Sequence, residues 1–203
     1  MFRQRRSVAA LGIALLAAAT VLSGCGKDAR NDDGAQHIID AGSTEGTKVD
    51  SSLTESTARD RINAYLLESL QGLPPSVSYS ITSDNSYLGV MHTPSLTVPC
   101  DDRGHADGSE VVQLSYWVVG VPTGQNAQYF ELIRNAWTAR GWTLQSDADS
   151  RWAPVHTPDG YVLVLQYAPA QDHSLSITAG SPCFPRAAAG TTAPPPTEIK
   201  RPS

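Results

Sequence analysis

The sequence predicts an α+β fold: two helices packed on one face of a mainly antiparallel sheet of about five to six strands, with one disulfide. Three observations carry that expectation. Two stretches repeat apolar residues at three- and four-residue spacing. Several others alternate apolar and polar residues with period two. The strand-like stretches also cluster as hairpins after a helix instead of alternating with helices one by one. The ordered part is placed at residues 55–184, long enough for one core that buries roughly two-thirds of the unfolded surface.

Taken in order, the first helix is expected from about Thr57 to Gln71. Ala58, Ile62, Tyr65, Leu66 and Leu70 face inward, Arg59, Asp60, Arg61, Asn63 and Glu68 face outward, and Gly72 with Pro74-Pro75 ends it. Val77, Tyr79 and Ile81 alternate with Ser78, Ser80 and Thr82 as a half-buried strand, and Tyr87 to Met91 is a second short candidate. Val111 to Val121 is apolar on both faces and therefore central. A second helix spans about Gln125 to Arg140, with Tyr129, Phe130, Ile133, Ala136 and Trp137 inward and Gly141 as its stop. Four more strands follow: Trp142 to Ser146, Arg151 to His156, Tyr161 to Tyr167, and Leu175 to Ala179. The turns between them are Asp147-Ala148-Asp149 and Pro158-Asp159-Gly160. The strands flanking the second helix are candidates for a parallel pair joined by a right-handed crossover.

Outside this domain the composition changes. Residues 1–24 read as an export signal: Arg3, Arg5 and Arg6 precede an uncharged run from Val8 to Leu22, too short for a membrane-spanning helix, which needs ~20 apolar residues. Leu22-Ser23-Gly24-Cys25 matches a bacterial lipobox, in which the Cys25 thiol is acylated and becomes the mature N-terminus; Arg5-Arg6 leaves Sec and Tat export both open. Two acyl chains suffice for stable anchoring. Residues 26–54 are polar and low in apolar content, a tether whose flexible stretch to about Ser52 would span roughly 30 Å. Residues 185–203, rich in Pro, Ala and Thr, are expected to be a disordered tail.

Three cysteines in an exported chain leave one unpaired unless it has another use. Lipidation of Cys25 leaves Cys100 and Cys183 for a disulfide, and closing the loop between them is worth about 4 to 5 kcal/mol in the chain-entropy model. The net charge of −5 becomes −8 once the three signal arginines are removed, so the chain offers no basic stripe for nucleic acid and no polybasic patch for anionic lipid.

Chemistry-bearing motifs are absent. His37, His92, His105, His156 and His173 are scattered without a His-Glu-x-x-His pair, no serine sits in a nucleophile elbow, and no phosphate-binding glycine loop occurs. The polar stretch Asp101 to Gly108 resembles a cation loop. Placing Gly108 at the sixth position of a calcium loop puts Arg103 first and Leu114 twelfth, and neither is a ligand. It is therefore an exposed turn, and no metal or other cofactor is expected.

The lipobox cysteine, the acidic tether, Cys100, Gly-Trp-Thr at Gly141 to Thr143 after the second helix, Asp159-Gly160-Tyr161 opening a strand, and Leu175-Ser176-Ile177-Thr178 running into Cys183-Phe184 resemble the actinobacterial LppA-like lipoproteins. The resemblance covers most of the mature domain and implies a lipid-anchored envelope protein, with no particular activity. The expectation is a non-enzymatic module on the outer face of the cytoplasmic membrane, anchored through Cys25, that binds an envelope protein or a small ligand. One alternative is a carrier of lipid or another amphiphile, which needs an apolar cavity between the layers. A second is a metal-dependent enzyme built around Asp101, Asp102, His105 and Asp107.

Overall fold

The computed structural model describes residues 49–100, 108–169, 174–188 and 193–202. Helix α1 (Glu55–Ser69) is followed by strands β1 (Ser78–Ser80), β2 (Ser95–Pro99) and β3 (Ser109–Val119). Helix α2 (Asn126–Ala139) then leads to β4 (Thr143–Leu144), β5 (Trp152–His156), β6 (Val162–Ala168), β7 (Ser174–Gly180), β8 (Phe184–Pro185) and β9 (Glu198–Ile199). The sheet runs β4-β5-β6-β7-β3-β1-β9, with β2 and β8 also paired to β3. The fold is thus the expected α+β arrangement, with more strands than expected because β2 and the very short β8 and β9 join the sheet.

The eleven-residue β3 is the hub: it pairs with β1, β2, β7 and β8, all antiparallel. Its Val112, Leu114, Tyr116 and Val118 are buried and line up in register with Ala179 and Ile177 of β7 and Tyr79 of β1. Leu163 and Leu165 of β6 and Ala153 and Val155 of β5 extend the same face. Against it lie Ala58, Ile62, Tyr65 and Leu66 of α1 with Tyr129, Phe130, Ile133 and Trp137 of α2. Each fully buried aliphatic or aromatic side chain contributes roughly 1.5–3 kcal/mol, so this one helix–sheet seam holds most of the fold's apolar stabilisation.

Local chemistry fixes the helix ends. Thr54 caps α1: its hydroxyl accepts from the Thr57 N–H at 3.3 Å, while the Thr57 hydroxyl accepts from the Thr54 N–H at 3.0 Å. At the other end of α2, Arg140 donates to the Ala136 carbonyl at 2.7 Å and to the Gln71 carbonyl at 2.9 Å, tying the C-terminal ends of the two helices together.

Four expectations are corrected. The flanking strands of α2 are not a parallel pair: β3 and β4 are separated in the sheet by β7, β6 and β5, so the α2 connection passes over these three strands, and every named pairing is antiparallel. Tyr87 to Met91 forms no strand; only a bridge between Thr82 and Val90 forms, and the true partner of β3 is the unexpected β2. The tether's last residues belong to the domain, because Val49 bridges Cys183 and the Asp50 N–H donates to the Cys183 carbonyl at 2.8 Å.

The largest correction concerns residues 185–203. Pro185 pairs with Ser109, Arg186 is ion-paired to Glu110 at 2.7 Å, and the chain returns to add β9 to the edge of β1. Ile199, only 5% exposed, packs opposite Tyr79, and the buried Tyr116 hydroxyl donates to the Pro196 carbonyl at 3.2 Å. A Pro-rich composition lowers helix and strand propensity, yet it leaves single apolar residues free to dock where a neighbouring strand offers backbone partners.

Candidate functional site

The structure pairs Cys100 with Cys183 in a disulfide whose Cα atoms are 6.1 Å apart. The bridge joins the end of β2 to the start of β8, beside the entry of the chain at Val49. Cys25 and the loop residues Asp101, Asp102, His105 and Asp107 lie outside the described residues. The remaining polar candidates are dispersed. His92 is exposed, and the His156 ring pairs with the Gln145 amide. The Asp149 carboxylate accepts from the Arg151 N–H at 2.6 Å and the Trp152 N–H at 2.8 Å, so this acid holds a turn. Among the described residues no group of three or more His, Cys, Asp and Glu is placed to hold a metal.

Two polar clusters do form, and both tie α1 to the sheet. In the first, Asp159 in the β5–β6 turn accepts from the Tyr65 hydroxyl, from the Thr157 hydroxyl at 2.6 Å and from Arg61 at 3.0 Å. The Arg61 guanidinium also stacks on the Tyr65 ring at 4.2 Å, and Tyr65 meets Trp142 edge-on at 5.3 Å and Tyr161 at 5.5 Å. Burial would raise the Asp159 pKa, but the hydrogen bonds from Thr157, Tyr65 and Arg61 outweigh it and hold the carboxylate below its ordinary range. Burial, then the bond to Asp159, pushes the Tyr65 phenol up, so it stays a neutral donor and is not a base. The chemistry is that of a clamp.

A pH test follows. With its folded pKa depressed, Asp159 contributes stability that is fully present above its unfolded value of 3.8 and is lost as pH falls through the lower folded value. Because the carboxylate is 42% exposed, solvent screens the pair, and Asp159→Asn is expected to cost about 1 kcal/mol at pH 7. Urea melts of both proteins from pH 7 to pH 2 should converge below pH 4; a constant gap would show that the loss is not one of charge.

The second cluster overturns the outward assignment of Arg59. Its Nη1 donates to Ser95 Oγ at 2.6 Å, and its Nε and Nη2 donate to Glu55 at 3.0 and 2.6 Å. The two side chains keep only 13% and 8% of their exposure. An arginine lays its apolar stem along the helix and needs a partner only at its tip, so helical periodicity alone does not reveal the contact.

The face of the sheet away from the helices has a different character. Ser80, Trp117, Ser176, Gln166 and Trp152 stand in register across β1, β3, β7, β6 and β5. The next row, toward the disulfide, is Ser115, Thr178, Val164 and Pro154, and the one after it is Gln113, Gly180, Val162, His156 and Thr143. From β3 to β4 these rows hold no Lys, Arg, Asp or Glu, but the first row continues past Ser80 to Glu198 of β9, which is ion-paired to Lys200 at 3.1 Å. Val164 and Thr178 are buried, the hydroxyls of Ser115 and Thr178 are bonded at 2.9 Å, and the Trp117–Trp152 row is half-buried. The Trp117 indole N–H has no acceptor among the described residues. Period-two alternation assigns Trp117 to this face, but only strand register brings Trp152, 35 positions later in the chain, into the same row.

Comparison of the chain with protein-family models, with curated proteins and with solved structures finds no match.

Proposed function

We propose that this chain is an extracytoplasmic lipoprotein of the actinobacterial LppA-like kind, held on the outer face of the bacterial cytoplasmic membrane by acylated Cys25, and that it acts as a non-enzymatic binding or interaction module of the envelope. The single observation that carries the reading is Leu22-Ser23-Gly24-Cys25 at the end of a basic-then-apolar N-terminal segment. The Cys100–Cys183 disulfide fits an oxidising compartment. One feature favours a binding module over a carrier of lipid: the space between helices and sheet is occupied by Tyr79, Tyr116, Phe130 and Trp137, all fully buried. No helix among the described residues is long and apolar enough to cross a membrane.

The test is acylation. In the native host, or a bacterium with the lipoprotein pathway, the wild-type protein should fractionate with membranes and carry a diacylglyceryl mass on Cys25, and Cys25→Ser should lose that mass. A wild-type protein of unmodified mass overturns the anchoring.

A further inference from the structure

We propose that the edge of β1 is a self-association site, at which residues 196–199 of a second copy of this chain replace the copy's own and two copies form a dimer by reciprocal strand exchange. The inference goes beyond the proposed function and does not depend on the Cys25 anchor.

The segment is a complete ligand for that edge. β9 pairs antiparallel with Tyr79 and Ser80, and the Ile81 N–H donates to the Thr197 carbonyl at 3.0 Å. Ile199, only 5% exposed, enters the core opposite Tyr79. The Tyr116 hydroxyl donates to the Pro196 carbonyl at 3.2 Å, and the Ser78 hydroxyl donates to the Glu198 carboxylate at 3.0 Å. Main-chain bonds with one buried side chain are the usual terms on which an extended segment joins a sheet edge. Every one of these partners lies on β1, directly after it or on β3, so a second copy presents the same set to the same sequence.

The connection that brings the segment back disfavours closure within one chain. Pro185 lies opposite Ser109, whereas Glu198 lies opposite Ser80 and thus level with Trp117. Glu110 has Pro99 of β2 on one side and Phe184 of β8 on the other, so β8 and β1 flank opposite sides of β3. Eight residues along β3 are ~27 Å and three strand spacings ~14 Å, a diagonal of ~31 Å. Even if the turn Arg186–Ala188 contributes its full ~6 Å, roughly 25 Å are left for the ten residues from 189 to 198. Their extended reach is ~33–36 Å, but a flexible chain of that length has a root-mean-square span of only ~17 Å. A tie whose relaxed span falls short of the gap lowers the effective concentration of the segment at its own edge. A second copy's edge is placed wherever the relaxed connection ends, which is why short, stretched hinges favour exchange.

The experiment uses the full-length chain in detergent, with Cys25→Ser so that Cys100 and Cys183 are its only native thiols. One preparation carries Ser80→Cys and another Glu198→Cys, two positions that face each other across β1 and β9. They are mixed at about 10 μM and about 1 mM, incubated and oxidised, and the new bond is located by mass spectrometry of peptides. A bond between positions 80 and 198 of different copies is expected, with a yield that rises with concentration. Oxidation immediately after mixing should give less than about a tenth of that yield, because exchange requires strands to leave first. Six Gly and Ser residues inserted after Gly190 should lower it roughly tenfold by relaxing the connection. Sedimentation of the chain without new thiols gives a second reading, a dimer at the higher concentration that the lengthened chain loses. No bond between copies at either concentration, a yield that needs no incubation, a yield unchanged by lengthening, or a chain that sediments as a monomer throughout overturns the proposal.

Discussion

Gly120→Ala is expected to remove about 3–5 kcal/mol of folding stability, a large part of the ~5–15 kcal/mol typical of a domain. Gly120 follows β3 at φ +75°, a conformation that L side chains rarely adopt, and a Cβ there would lie 1.9 Å from the Ser76 carbonyl oxygen and 2.8 Å from its carbon. The obstacle is backbone, and it cannot retreat easily. The Gly120 N–H donates to Asp84 at 2.9 Å, and Val77, directly after Ser76 and just before β1, is buried. Gly124→Ala is the control, since it shares the positive φ but has nothing within 4 Å of its Cβ position. Urea midpoints should place Gly124→Ala near 1 kcal/mol below wild type and Gly120→Ala far lower. Equal losses would mean that the close approach to Ser76 does not exist.

The second large effect is expected at Arg59. Arg59→Met removes a bonded cation from Glu55, a residue only 6% exposed, and also removes the bond to Ser95 that ties α1 to β2. Breaking a buried ion pair from one side typically costs 3–5 kcal/mol. Glu55 lies in the first turn of α1, where the helix dipole supports a negative charge, so the expected loss is about 2–3 kcal/mol. Because the two side chains are bonded to each other, the double variant Glu55→Gln/Arg59→Met should lose less stability than the sum of the two single variants. Additive losses in the double-mutant cycle would show that the two side chains act independently.

These sites also mark where sequence reading succeeds and where it stops. β3 and α2 are legible because their periodicity is long enough to stand out: eleven residues of β3 with every even position from Val112 to Val118 buried, and Tyr129, Phe130, Ile133 and Trp137 on one side of α2. The disulfide follows from cysteine arithmetic. β2 is not legible, since it is five residues long, ends in Pro99 and follows Pro94, residues that normally argue against a strand. β9 is harder still, because its two residues are a strand only by virtue of Tyr79 and Ser80 lying beside them. The Arg61–Asp159 clamp joins residues 98 positions apart, and the tryptophan row depends on the register of four strands. Both are products of tertiary pairing, which single-chain periodicity does not encode.

The return of residues 196–199 to the edge of β1 bears on the order in which the protein can assemble. Any process that delivers this chain N-terminus first, whether from a ribosome or through a translocation channel, presents β1 and β3 well before Ile199. Until Ile199 arrives, the edge of β1 has no cover and the Tyr116 hydroxyl lacks its acceptor. Cys100 must likewise wait for Cys183, and the hub strand β3 for β7, more than 50 residues downstream. Such non-local pairing makes folding slow and leaves strand edges open in the interval. The sheet is thus completed only after β9 has been released, and a delivery machinery meets a chain that has not yet closed.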